Sequence, residues 1–231
     1  MDVLRKIIWT ACFSGILLSC NTSEKETVAM RTANPTETGS VATRTLSEEF
    51  KNYWYAGTAE ITSYKLSQER YGELREGTAV NIFVTEDFLP KVQVKADGQS
   101  PNNIPVLKLN STKKYITGIY PYSVMTSSFS PVQTKDHALK VTHSMQEWCG
   151  QVYVQLNHDK NFKILSHSYF EGEADQEIVL PKTLLESDLW STIRLNPEEL
   201  PVGDLTILPS FEYFRMSHQQ ISPLKATGNL V

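Results

Sequence analysis

The spacing of apolar and polar positions changes character along the chain. Residues 7–18 are an almost unbroken apolar stretch, interrupted by Thr10, Ser14 and Gly15. Residues 21–45 contain no aromatic residue and are rich in Thr, Ser, Glu and Ala. Such a segment cannot bury enough apolar surface to offset its ordering entropy, which predicts a flexible tether. From Ser47 to Trp54 a serine N-cap, two early acids and apolar positions three to four apart predict a short helix that Gly57 ends. Beyond it the period shortens. Runs rich in Thr, Val, Ile, Tyr and Phe, punctuated by Gly, Pro, Asn and Asp, predict strands over 58–70, 78–88, 91–96, 105–109, 114–120, 138–145, 151–156, 163–170 and 176–180. Less distinct strands follow over 204–208 and 211–217.

Thr78 to Val84 and Val152 to Leu156 partly alternate, so one face of the sheet is expected to be more buried than the other. Turn signals at Asp97-Gly98, Asn157-His158-Asp159 and Glu171-Gly172 leave no room for helical crossovers, which makes the sheet antiparallel. A helix-like segment, Pro181 to Trp190, interrupts the strands. The expected fold is mainly β: an antiparallel curved sheet or incomplete barrel with one or two short helices, forming a single domain over 46–231. At Thr227 to Val231 the pattern predicts the start of another strand, which is consistent with a native end or with a sheet that continues further.

The apolar stretch over 7–18 follows Arg5 and Lys6 and leads into Leu17-Leu18-Ser19-Cys20. A basic start, a short apolar centre and a small residue before cleavage make an export signal over 1–19; the stretch is too short for a membrane span, which needs roughly 20 residues. Leu17-Leu18-Ser19-Cys20 resembles the lipobox of bacterial lipoproteins. The resemblance implies a diacylglycerol on the Cys20 sulfur and an acyl chain on its new amino group, so that Cys20 anchors the protein to a membrane; two or three chains hold firmly where one holds marginally. Asn21 stands where an inner-membrane retention signal would have aspartate, so the expected location is the cell envelope, at the outer membrane. The tether gives a typical reach of roughly 25–30 Å.

Charge and cysteine count narrow the classes further. Removal of residues 1–19 leaves 20 basic against 25 acidic side chains, a mildly acidic balance that offers no electrostatic reason for a nucleic-acid partner. Cys12 leaves with the signal and Cys20 is lipidated, so Cys149 has no intramolecular disulfide partner.

Candidate chemistry centres on Glu147-Trp148-Cys149-Gly150. A thiol hydrolase would use Cys149 as nucleophile with His143 or His137 as base, because a thiolate needs a nearby base or cation at neutral pH; a pair of carboxylates brought together across strands is the other enzymatic arrangement. No thiol-protease signature surrounds Cys149, and Trp148 beside it predicts instead a buried packing residue at a strand end. His137, His143, His158, His167 and His218 include no pair at helical ligand spacing, so neither metal nor other cofactor is expected. Glu171, Glu173, Asp175 and Glu177 alternate like a solvated face. The many aromatics, among them Tyr71, Tyr115, Tyr120, Tyr122, Phe211 and Phe214, are expected to pack across strands or to line an apolar cavity.

The lipobox, the Trp/Tyr-rich helix and the long antiparallel run together resemble uncharacterised envelope lipoproteins of Gram-negative bacteria, some of which carry the label "septum formation inhibitor Maf". Ser128-Phe129-Ser130-Pro131 resembles the Ser-x-Ser-Pro of the Maf pyrophosphatases, but Val132 and Gln133 stand where that family has two phosphate-contacting arginines, and Maf activity is rejected. In outline the expected sheet is similar to the half-barrels of the Lol lipoprotein carriers, whose concave apolar face accepts an acyl chain. The resulting expectation is a non-enzymatic role, binding a hydrophobic ligand or an envelope protein partner; the alternative is the envelope hydrolase. Mass spectrometry of the native N-terminus is expected to find acylated Cys20, and Cys20→Ala to leave the membrane fraction. An unmodified N-terminus at another residue contradicts this.

Overall fold

A computed structural model of the chain describes residues 41–230. The expected export signal, Cys20 and the expected tether as far as residue 40 lie outside the described residues. In chain order the elements begin with α1 (Glu48–Trp54), β1 (Glu60–Arg70), β2 (Glu73–Leu89), β3 (Val94–Lys95), β4 (Ile104–Thr117) and β5 (Tyr120–Pro131). They continue with β6 (Lys140–Glu147), β7 (Gly150–His158), β8 (Phe162–Ser168) and β9 (Gln176–Leu180). The last are β10 (Leu184–Leu185), α2 (Glu186–Leu195), β11 (Gly203–Leu208), α3 (Phe211–Ser217) and β12 (Leu224–Gly228).

The fold is mainly β, as the strand-length periodicity predicts. An antiparallel sheet of nine strands runs β1-β2-β4-β5-β6-β7-β8-β9, with β3 added to β2, and it does not close into a barrel. A second sheet of three strands, β10-β11-β12, completes the fold. Three short helices occur among the described residues where one or two were expected, because 211–217 is the helix α3 and not a strand. Ser210 caps it, its hydroxyl accepting from Tyr213 N at 3.4 Å. The interrupting helix α2 starts at Glu186 and extends to Leu195; its Asp188 accepts from Leu185 N at 3.3 Å. The separate runs 105–109 and 114–120 are parts of one continuous strand, β4, apart from Gly118, Ile119 and Tyr120. β5 was not expected at all.

The register explains the burial. One row of paired residues crosses the main sheet on its inner face: Phe83, Leu109, Ser128, Val141, Leu156, Ile164 and Ile178. All are apolar except Ser128. The inner face must be covered, and the helices do this. α1 lays Trp54 on Phe83, Leu107 and Leu109, with Leu195 of α2 packed alongside. α3 buries Phe211 and Phe214 in the cluster that contains Val152, Val154, Leu156 and Ile164. The neighbouring row is largely polar: Asn81, Ser111, Thr126, His143, Val154 and Ser166. This is why β5 does not read as an alternating strand.

Residues 41–45, assigned to the tether by composition, instead lie against the domain. Thr43 bridges to Thr134, and the Arg44 guanidinium donates to Pro131 O at 3.2 Å, Thr134 O at 2.5 Å and Glu199 Oε2 at 3.0 Å.

His143 on β6 has a consequence for stability. Its Nδ1 lies 2.9 Å from Thr126 Oγ1, and burial, with Lys113 and Arg215 adding to it, pushes its pKa down to about 4. The folded state therefore resists a proton that the unfolded state accepts. This contribution is intact above about pH 6.5 and is lost as the pH falls from there towards 4, at a cost on the order of 3 kcal/mol. His158, also lowered by burial, acts in the same direction. Urea midpoints measured across this range are expected to fall with pH in the native chain and to fall less in His143→Asn; equal slopes contradict the assignment.

Candidate functional site at the hairpin tips

An antiparallel meander alternates its turns between two ends. The β1–β2, β4–β5, β6–β7 and β8–β9 connections all emerge at one end of the sheet, and the β2–β4, β5–β6 and β7–β8 connections at the other. The first end carries a row of aromatic and aliphatic side chains. Tyr115 and Tyr122 stack at 4.7 Å between centroids, Tyr120 lies 5.5 Å from Tyr122, and Trp148 lies 5.1 Å from Tyr120. Tyr71, on the β1–β2 turn, places its hydroxyl 3.1 Å from that of Tyr122, while Arg70 sits over the Tyr71 ring at 4.3 Å. At the far side Tyr169 packs against Gly150, where a Cβ would meet the Tyr169 ring at 2.9 Å. Any side chain at position 150 would displace Tyr169.

Tyr115 and Tyr122 are buried and Tyr120 is half-buried; the tips are exposed. Tyr71, Leu74, Ile116, Ile119, Trp148 and Tyr169 are between 56% and 83% exposed. The three most exposed large hydrophobics among the described residues, Ile119, Tyr169 and Leu74, all belong to this rim.

Beneath the rim a buried ion pair ties α3 to β6. Arg215 Nη2 lies 2.5 Å from Glu147 Oε1, and both side chains are almost wholly buried. Arg215 also stacks on Phe170 at 3.6 Å, and Tyr120 donates to Glu147 Oε2 at 2.6 Å. Burial comes first, followed by the contacts with Cys149 and Glu147, in holding the Tyr120 hydroxyl well above its ordinary pKa. Sequence reasoning missed this pair. Reading 211–217 as a helix would have placed Phe211, Phe214 and Arg215 on one face.

Cys149 is exposed in the two-residue turn between β6 and β7, contrary to the expected buried packing role, and Trp148 beside it is exposed as well. Both lie beyond the last pair of the ladder, Glu147 with Gly150, and so outside the packed layer. The Cys149 amide donates to the Tyr120 hydroxyl. His143 is buried six residues away and bonded to Thr126, and His137 lies in the β5–β6 connection at the opposite end, its Nδ1 2.8 Å from Asp188. His167 lines the same shallow surface depression as Cys149 and lies 3.2 Å from Asp175, but it pairs with Tyr153. That is four residues, or roughly 13 Å of strand, from Cys149. Glu147, the carboxylate nearest the thiol in sequence, is engaged by Arg215. The structure does not assemble the thiol and base that the hydrolase reading requires.

Two other expectations change. The acids of 171–177 are not uniformly solvated, because Glu173 accepts from Ser168 Oγ at 2.6 Å and lies 2.8 Å from His218 Nδ1. The Ser128 to Pro131 stretch is the end of β5, with the Ser128 and Ser130 hydroxyls buried and unpartnered in the core. No group of three His, Cys, Asp or Glu side chains that could hold a metal ion occurs among the described residues.

Arg215→Met is expected to cost about 3–5 kcal/mol in urea unfolding, because it leaves Glu147 buried without its counter-charge. Combining it with Glu147→Gln should restore much of the loss; additive losses contradict the pairing.

No protein-family model, curated protein or solved structure matches the chain, so its functional reading rests on its own geometry.

Proposed function

We propose that this chain is a lipid-anchored envelope lipoprotein whose β domain has a non-enzymatic binding role, engaging a hydrophobic ligand or an envelope protein partner through the rim of hairpin tips. The supporting observation is the location of its accessible apolar surface. The inner face of the sheet lies beneath the chain's own helices, and the space between α3 and β7–β8 is about 20 Å³, enough for roughly one water and far too small for an acyl chain. The half-barrel cavity expected from the sheet's outline is therefore occupied by Phe211 and Phe214. The three most exposed large apolar side chains among the described residues, Ile119, Tyr169 and Leu74, all stand at the tips, and exposed apolar patches mark contact surfaces.

The hydrolase alternative loses support from the same geometry. An activated thiol needs a base within hydrogen-bond reach, and the histidines considered for Cys149 are directed elsewhere. In cells whose phenotype depends on this protein, Cys149→Ser is expected to complement fully, and Ile119→Asp combined with Trp148→Asp to fail despite normal abundance. The reverse result overturns the binding role and reinstates catalysis.

A further inference from the structure

We propose that the rim is a membrane-interface contact, in which Trp148, Ile119 and their neighbours enter the boundary between headgroups and acyl chains of a zwitterionic bilayer. This rests on the non-enzymatic binding reading and names the occupant of its surface.

Composition is the first argument. Trp and Tyr have an apolar body and a polar tip, which suits the boundary between water and hydrocarbon, and Ile and Leu contribute apolar area that can sit deeper. The rim has Trp148, Tyr71 and Tyr169 together with Ile116, Ile119 and Leu74.

Charge is the second. From Tyr115 to Thr134, a span that includes the whole β4–β5 tip, there is no charged residue. The β6–β7 tip is uncharged from Trp148 to Asn157, and the acid that precedes it, Glu147, is buried and paired with Arg215. The two central tips can therefore enter a less polar medium without carrying an ion into it. The β1–β2 tip bears Glu69 and Glu73 beside Arg70 and Arg75, a balanced set in which Arg75 pairs with Glu73 at 2.7 Å, and the β8–β9 tip bears Glu171, Glu173 and Asp175. The rim has no excess of basic side chains to draw it to an anionic surface, which favours a neutral one.

Shape is the third. The six side chains stand on or beside four separate turns, and of them Trp148 and Tyr169 share one shallow depression. A rigid protein partner would have to provide a pocket for each, whereas a fluid boundary accommodates separate protrusions. Turn amides are also already engaged: Gly72 N donates to Glu69 Oε1 at 2.7 Å, and Cys149 N to the Tyr120 hydroxyl. This lowers the cost of moving these backbone groups out of water. Residue 41 enters the described domain at the opposite end, beside Pro131 and Thr134, so the rim is distinct from the point of chain entry.

The test uses the full chain with Cys12→Ser and Cys20→Ser, which leaves Cys149 as the single thiol to carry an NBD fluorophore. The label reports the rim locally, whatever the N-terminal apolar segment does. With phosphatidylcholine vesicles its emission is expected to rise, shift to the blue and be quenched by lipids carrying a shallow nitroxide. Ile119→Asp and, separately, Ile116→Asp should weaken this response at least about tenfold while circular dichroism stays unchanged. Replacing half of the lipid by phosphatidylglycerol should weaken it too. A label that remains in water in the presence of vesicles, a response indifferent to both substitutions, or a response that requires phosphatidylglycerol overturns the proposal. The broader binding role fails on a separate readout, full complementation by Ile119→Asp combined with Trp148→Asp.

Discussion

An open antiparallel sheet with one apolar face has to cover that face, and in this chain the rest of the structure depends on how it does so. The row from Phe83 through Leu109 and Val141 to Ile178 would otherwise be exposed across seven strands. Burying it is the main source of favourable free energy available to the domain. Three helices of seven to ten residues are individually too short to be stable in water. They exist because Trp54, Leu195, Phe211 and Phe214 dock on the sheet. The Arg215–Glu147 pair then fixes where α3 sits, since neither charge can be left buried alone.

Two consequences bear on function. Between α3 and β7–β8 the inner face has no space for an acyl chain, because Phe211 and Phe214 occupy the volume that a half-barrel carrier would leave open. The meander also lines up alternate turns at one end, so residues distant in sequence, Tyr71, Ile119, Trp148 and Tyr169, form one edge without any requirement for a deep pocket. Cys149 belongs to this edge. Its position in a tight turn directs it outward, away from the histidines of the packed layers.

Legibility in the sequence followed the physics of burial. β1 and β9 were readable because runs of β-forming residues end there at clear turn signals. β5 was hidden, since its inward positions after Val124 are the half-buried Thr126 and the buried Ser128 and Ser130, all polar, and Pro121 and Pro131 stand at its ends. α3 was misread because a seven-residue segment with three aromatics scores as a strand until Ser210 is recognised as its cap and Phe211, Phe214 and Arg215 as one face. The rim could not be read at all. Each tip contributes only one or two apolar residues, and a single exposed hydrophobic in a turn is unremarkable until topology sets four turns side by side. Trp148 next to Cys149 looked like packing because a tryptophan is usually buried, and its exposure is what makes it informative.

The central claim is that the binding surface of this domain is the row of hairpin tips and not the interior of the sheet. Amide hydrogen exchange of the full chain, with and without phosphatidylcholine vesicles, measures this most directly. Within residues 41–230, added protection is expected at 71–74, 116–119, 148–149 and 169–172 alone. Protection appearing instead along β7, β8 and α3, or in the 90–103 and 132–139 connections at the opposite end, would contradict it.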